Sequence, residues 1–394
     1  MRDVIVAGAA RTPIGDFLGS LKTVSPVELA KIAAQGAIEK SGIAPEALME
    51  VAFGIVLKAG FKGNPARQVQ IGLGLPVDGT AYTIDQQCAS GMKAFDLIYQ
   101  SIALGKTDAG LAIGAESMSQ VAYLMPGARE GFRLGDGAAP IDSMMNDGLI
   151  CAMMGYHMGI TAENLAEEYE VTREEQDEIA CLSHHRAADA QEAGLFDDEI
   201  VPVEIASRKG TVIVSKDEHP RKDTNMEDLA KLRPAFKKEG GTVTAGNASG
   251  LNDAASALVL VAGDKAEELG VKPLARILST VSVGVEPRIM GIGPVYAVPK
   301  AIELAGLTKE DIGYYEINEA FAAQFLACNR VLKIDMDKVN ANGSGIGLGH
   351  PVGSTGARII ISLINELKRR KERYGVASLC VGGGPAMATV IENI

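Results

Sequence analysis

Cysteine is scarce in this chain. Five cysteines occur in 394 residues, an odd number, with no C-x-x-C pair and no Cys/His cluster. That pattern excludes a disulfide framework and a structural zinc site, and a reducing, cytoplasmic setting is expected. Positive charge is also in deficit. Lys and Arg number 38 against 50 Asp and Glu, a net charge of −12, so the basic face that nucleic-acid binding needs is missing. No long apolar run exists. The charge-free stretch from Gly375 to Ile391 is interrupted by Gly382, Gly383, Gly384 and Pro385, and reads as strands and a loop rather than a membrane span. The opening residues, MRDVIVAGAARTP, contain neither the apolar core of a signal peptide nor an Arg/Ser-rich transit segment, and the closing VIENI is no retention or peroxisomal tail. The NAS at Asn247–Ser249 is then a chance sequon. No G-x-G-x-x-G register fits anywhere, which disfavours dinucleotide binding.

What is present alternates. DVIVAGAA, VAFGIV and AGLAIGAES read as strands, and SPVELAKIAAQGAIEKSG between the first two reads as a helix. Such alternation predicts an α/β protein with mostly parallel sheet. The chain also echoes itself. AIEKSGIAPE (Ala37–Glu46) is matched by AIELAGLTKE (Ala301–Glu310) at an offset of 264 (301 − 37), and each precedes a strand-like run. The same offset carries Cys88 to 352, inside GHPVG, and Glu116 to 380, inside LCVGGG. A duplicated α/β unit with a site at the junction of its halves is expected. The segment from about 119 to 245 departs from this pattern and reads as an inserted lid or binding domain. It contains a helix predicted from Thr172 to Ala193, with a Thr cap, acidic first turn and terminal Gly. Met144, Met145, Met153, Met154 and Met158 in the same segment are read mostly as packing. Basic residues gather at SRKG (Ser207–Gly210) and HPRKD (His219–Asp223), the local positive charge an anionic ligand requires.

Four stretches could carry chemistry. IDQQCASGMKAF places Cys88 at the expected first turn of a helix, where a thiolate is activated. An isolated cysteine is more often a small buried hydrophobe. EINEAFAAQF places Asn318 where a strand enters a helix, as a plausible N-cap. In NANGSGIGLGHPVGSTGAR, His350 is held in a glycine-built loop before an amphipathic helix. ASLCVGGGPAM ends a strand at Cys380, and the glycines that follow offer free N–H groups for an oxyanion. Two thiols suit a reaction that needs a nucleophile and a carbon base.

Taken together, CASGMKA, GNASGLNDAA, NEAFA, GHPVGSTGAR and CVGGG resemble the thiolase family, in its acetyl-CoA C-acetyltransferase branch, and the likeness runs from ARTPIG to the final strand. The resemblance implies the thiolase fold: two duplicated βαβαβαβ halves forming a layered α-β-α-β-α core with an inserted loop domain. The N-terminal half would be 1–119 plus 246–270, the loop domain 120–245, and the C-terminal half 271–394. It implies that Cys88 is the nucleophile that becomes acetylated and that His350 activates it. Cys380 would be the acid/base at the methyl of a second acetyl-CoA, and Asn318 would hold a water that completes an oxyanion site with His350. The N–H groups of Cys88 and Gly382 would form the other oxyanion site. The reaction would be the reversible condensation of two acetyl-CoA to acetoacetyl-CoA and CoA. Coenzyme A thioesters would be substrates, with no bound cofactor and no metal. His157, Met158, Arg221, Phe236, Ala248, Ser249, Ala320 and Phe321 match coenzyme A positions of the family. Met158 and Met290 would narrow the acyl pocket. A homotetramer, a dimer of dimers, is the family's usual state. Two departures stand out. PGAREGFRLGD matches the short-chain type less closely. Gly345 and Gly347 stand where relatives often carry alanine, which is expected to loosen the loop before His350.

Other readings are a broader-chain 3-ketoacyl-CoA thiolase and a redox protein built on a Cys88–Cys380 disulfide. A ketoacyl-synthase-like enzyme would need a second histidine in place of Asn318. A non-catalytic scaffold would not be expected to keep Cys88, Asn318, His350 and Cys380 together.

Overall fold

Small residues decide how closely the layers of this protein approach. Its computed structural model describes residues 1–132, 134–135, 137, 139–207 and 210–394. Arg208 and Lys209 of the SRKG cluster, and Arg133 and Asp136 of the PGAREGFRLGD segment, lie outside the described residues.

The N-terminal half runs β1 (Val4–Arg11), α1 (Pro26–Ser41), β2 (Glu50–Gly54), α2 (Pro65–Gly72), β3 (Thr80–Ile84), α3 (Ser90–Ala103) and β4 (Ala109–Ser117). An insertion follows, built around α4 (Met158–Glu168) and α5 (Arg173–Glu192), before β5 (Asn252–Ala262) closes the half. The C-terminal half runs β6 (Ala275–Gly284), α6 (Pro294–Leu304), β7 (Tyr314–Ile317), α7 (Ala322–Leu332), α8 (Val352–Arg370), β8 (Tyr374–Cys380) and β9 (Pro385–Asn393). The strands form one ten-stranded sheet, ordered β7-β8-β9-β6-β1-β5-β4-β2-β3, with the short strand Gly15–Asp16 beside β5. The mostly parallel sheet expected from the alternation is not found: β2–β3, β2–β4 and β7–β8 pair in parallel, whereas β1, β5, β6 and β9 pair antiparallel along the middle of the sheet. The two halves meet at β1 and β6 through two residue pairs only, Ile5 with Arg276 and Val6 with Ala275.

The echo is a true structural repeat. β2 starts at Glu50 and β7 at Tyr314, again 264 apart (314 − 50). Glu116 near the end of β4 and Cys380 at the end of β8 keep the same spacing (380 − 116). β3, the outermost strand of the first half, is matched beyond β7 only by a single parallel bridge between Tyr315 and Val339 among the described residues.

Layering follows from the apolar faces. α3 and α8 fill the space between the half-sheets, with Phe95, Ile98, Ile360 and Leu363 buried against Val6, Ala52, Ala377 and Leu379. Each large side chain so buried contributes about 1.5–3 kcal/mol. α1 covers one outer face through Ala30, Ala33 and Ala37, and α6 and α7 cover the other through Ala297, Ala301 and Phe325. Alanine suits α1 because β1 approaches very closely. A Cβ at Gly8 would lie 2.1 Å from the Ala37 carbonyl oxygen. α1 is delimited as its sequence dictates: Ser25 accepts from the Glu28 N–H, Pro26 takes the first turn, and Gly42 stops the helix at φ +70°.

In the insertion, α5 forms where its sequence predicts, with Thr172 and Glu175 making a reciprocal capping box. The ARTPIG motif anchors the insertion to the core. Arg11, fully buried, donates to Glu199 Oε1 at 2.7 Å and to Asp217 Oδ1 and Oδ2 at 2.7 and 2.9 Å. Removing one partner of such a buried network costs about 3–5 kcal/mol. Met144 and Met158 pack inside, but Met145, Met153 and Met154 are exposed, so the packing role expected for most of these methionines holds for two. No helix among the described residues is long and apolar enough to cross a membrane.

Candidate active site

Cys88 does not sit in the first turn of α3 as its sequence context suggested. It precedes the helix by two residues, with Ala89 at the N-cap, because residues 85–89 form a tight turn out of β3. Gln87 in that turn is left-handed at φ +46°, a conformation that costs a non-glycine residue roughly 1–2 kcal/mol. Local bonds hold it: the Gln87 N–H donates to Asp85 Oδ1 at 2.9 Å, and Ser90 Oγ donates to the Gln87 carbonyl at 2.7 Å. Gly54 in β2 makes room, since a Cβ there would lie 2.2 Å from the Ser90 backbone. Cys88 packs against Val56, Leu57, Met118, Met144 and Val352. This apolar surrounding pushes its thiol up to about 11, and the backbone amides of Gly382 and of Cys88 itself oppose the shift. The loop after Cys380 is thereby brought onto Cys88.

His350 is buried with a defined tautomer. Its Nδ1 lies 2.6 Å from Thr355 Oγ1, and Thr355 donates its own proton to the Pro351 carbonyl at 3.0 Å. The threonine therefore accepts from Nδ1–H and Nε2 keeps its lone pair. Nε2 faces Asn318 Nδ2 at 3.5 Å. Burial, with the nearby Arg358 cation, lowers the imidazole to about 3.

Asn318 is not a helix cap. α7 starts at Ala322 with Phe321 at its N-cap, because the chain stays extended after β7 and bridges Ala248 at Phe321. Asn318 is instead buried beside His350, and its Oδ1 has no hydrogen-bond partner among the described residues. The two glycines expected to loosen the preceding loop do the opposite. A Cβ at Gly345 would lie 2.5 Å from the Glu319 carbonyl and 2.7 Å from Asn318 Oδ1, and one at Gly347 would lie 2.2 Å from the Ser183 carbonyl. Glycine is what permits this tight packing.

Cys380 is buried at the end of β8. Burial first, then Cys88 and Cys328, raise its thiol well above the ordinary value. Around it cluster Met158, Met290, Ala320 and Phe321, with Phe236 and Ala248 at the margin. His157 stacks on Phe236 at 4.5 Å, and Phe236 meets Phe321 edge-on. Ser249 joins through its N–H, which donates to the Ala320 carbonyl at 3.0 Å. Gly382 touches Met158, whose Cε would lie 2.7 Å from a Cβ placed there. Arg221 stands apart, on a cavity of 340 Å³ shared with Ala248, His184 and His219. Thr355 and Asn252 lie within motifs quoted from the sequence, yet nothing in those motifs singles them out. Asp16 carries no signal at all.

Two family models match the chain: the thiolase N-terminal domain over residues 4–264 and the thiolase C-terminal domain over residues 271–393. The chain belongs to the thiolase family. An acetyl-CoA acetyltransferase of Syntrophomonas wolfei is 49% identical, with all of both chains aligned. The solved structure of the Syntrophomonas wolfei acetyl-CoA acetyltransferase superposes with a TM-score of 0.97 at 50% identity, covering 100% of both chains. Human mitochondrial 3-ketoacyl-CoA thiolase superposes at 0.96 with 40% identity, over 100% of this chain and 99% of that one.

The resting state of this thiolase is electrically quiet at its centre: two thiols and one imidazole, all neutral near pH 7. Glu116 lies behind them, accepting from the N–H groups of Val56, Leu57 and Gly353 at 3.1 Å each, and burial pushes it up to about 8. Because folding lowers the His350 value, the unfolded chain binds the extra proton. That stability is complete above about 6.5 and is lost as pH falls towards about 3. Iodoacetamide alkylation of Cys88, followed by peptide mass spectrometry, is expected to rise about tenfold per pH unit and still climb at about pH 9. A plateau at neutral pH would show a preformed thiolate.

Proposed function

We propose that the chain is an acetyl-CoA C-acetyltransferase. It would condense two acetyl-CoA to acetoacetyl-CoA and CoA through acetyl-Cys88, and run the reverse thiolysis. The observation that carries this reading is the approach of the glycine loop after Cys380 to the Cys88 turn, where a Cβ at Gly382 would lie 3.6 Å from the Gln87 side chain, because it brings together the proposed nucleophile, a pair of backbone N–H donors and Cys380.

Three neutral groups dictate where the protons go. His350 Nε2 takes the Cys88 proton as the sulfur attacks the thioester carbonyl. The N–H groups of Cys88 and Gly382 stabilise the oxyanion. CoA departs as a thiol with the proton of Cys380, which leaves a Cys380 thiolate. That thiolate removes a proton from the methyl of the second acetyl-CoA. Protonated His350 and a water on Asn318 stabilise the enolate. The enolate carbon attacks acetyl-Cys88, the sulfur leaves, and it recovers its proton from His350. Every group ends as it began.

CoA thioesters are the substrates and no resident cofactor enters. His157, Met158, Phe236, Ala248, Ser249, Ala320 and Phe321 would hold the pantetheine end, Arg221 the phosphates, and Met158 and Met290 the short acyl limit. Loop domain 120–245 would then be the CoA-binding domain, set between the halves 1–119 plus 246–270 and 271–394. The half-buried edge strand β3 and the hairpin of Tyr123–Leu124 with Ile141–Asp142 support a homotetramer, and five free cysteines suit the cytoplasm.

Thiolysis across a ladder of 3-ketoacyl-CoA lengths tests the reading. Acetoacetyl-CoA should be cleaved best, and equal turnover of long chains would overturn the short-chain assignment. Thr355→Ala is expected to lower kcat about tenfold to a hundredfold by releasing the His350 tautomer, whereas Thr355→Ser keeps it. Steady-state kinetics on both variants check this.

A further inference from the structure

Three side chains connect the Arg221 cavity to His350, and the steps above use none of them. His219 and His184 line that cavity with their rings 5.7 Å apart. His219 is buried, with Nδ1 2.5 Å from Asp16 Oδ1. Asp16 Oδ1 also faces Asn252 Nδ2 at 3.3 Å, and Asn252 Nδ2 donates to the Gly15 carbonyl at 3.1 Å. The opposite end of that amide, Asn252 Oδ1, accepts from the His350 backbone N–H at 2.9 Å. The Asn252 amide cannot turn over without placing its NH₂ against the His350 N–H. Nor can it shift independently of the loop, since a Cβ at Gly349 would lie 2.6 Å from its Cγ. Asn252 is fully buried.

The cavity end of this chain is built for an anion. His184, His219 and Arg221 occupy its wall, with Asp223 and Asp228 also on the lining. A phosphate ester entering there meets the Arg221 side chain and the ring of His219, whose Nδ1 is held by Asp16. A His219 ring that donates to such a phosphate from its other nitrogen lies between two anions, which tightens its bond to Asp16, the partner of Asn252.

We propose that phosphate groups bound in this cavity set the position of His350 through the positioning residues His219, Asp16 and Asn252. The nucleotide end of CoA thereby activates the enzyme as well as anchoring the substrate. The proposal rests on the CoA reading above and spends remote binding energy on the reacting centre.

The test separates the two ends of CoA. Acylation of Cys88 by the acetyl thioester of pantetheine, which lacks the nucleotide, is timed by intact-protein mass spectrometry with and without adenosine 3′,5′-bisphosphate. Saturating bisphosphate should raise the limiting acylation rate about tenfold. In Asp16→Asn, and in Asn252→Asp as an independent break, calorimetry should still detect bisphosphate binding while the acceleration falls below about twofold. Binding without acceleration of the unsubstituted enzyme overturns the inference and leaves the CoA site standing. Full acceleration in both variants overturns it as well. If the bisphosphate does not bind, or Arg221→Ala leaves its affinity unchanged, the cavity assignment fails and the inference fails with it.

Discussion

Replacing Cys88 with serine is expected to abolish acyl transfer, by about 10³-fold or more, while the protein stays folded. The substitution is nearly isosteric, and the turn that presents residue 88 is held by Asp85, Gln87 and Ser90 rather than by the sulfur. What changes is the proton. Burial keeps even the thiol up at about 11 and lowers its base, His350, to about 3, so a hydroxyl, far more reluctant to ionise, has no base able to take its proton. Incubation with acetyl-CoA followed by intact-mass measurement should show one acetyl group on the native protein and none on Cys88→Ser. Acetylation of the variant at a comparable rate would falsify the nucleophile assignment.

Cys380→Ser is expected to separate the two half-reactions. Acetylation of Cys88 continues slowly, because on the proposed route attack and oxyanion binding use Cys88, His350 and Gly382, and only the proton for departing CoA is lost. Condensation stops, with a fall of about 10²–10⁴-fold, because serine cannot serve as the carbon base. The discriminating measurement is deuterium exchange at the acetyl-CoA methyl group. Exchange should vanish in the variant while acetyl-Cys88 still accumulates. If condensation persists in Cys380→Ser, another group is the base.

The parts of this protein that were legible in its sequence are those set by local pattern. The α/β alternation, the capped helix 173–192 and the 264-residue echo each depend on residues near one another or on a copied stretch. Side-chain roles that depend on distant partners were not legible in the same way. Asn318 looks like a helix cap in EINEAF because Asn at such junctions usually is one. Only the bridge between Ala248 and Phe321, far apart in the chain, shows why the helix starts later. Gly345 and Gly347 look like slack, since a sequence does not show that the Ser183 and Glu319 carbonyls press on them. Thr355 and Asn252 sit in motifs, but their orientation towards His350 is a property of the closed structure. The exposed methionines follow the same rule, because burial is decided by what the rest of the chain places above them.

The matching positions of Glu116 and Cys380 have an ancestral consequence. In a symmetric pair of separate, identical halves, any residue at that point would be present twice. Joining the halves in one polypeptide frees the two copies to diverge. Here one copy is a carboxyl group that secures backbone loops, and the other is the thiol of Cys380, the proposed carbon base. Neither half alone holds the complete set of proposed reacting groups, since Cys88 comes from the first and Asn318, His350 and Cys380 from the second. A polypeptide of either half alone is therefore expected to be inactive, because the proposed set is completed only where the two halves meet.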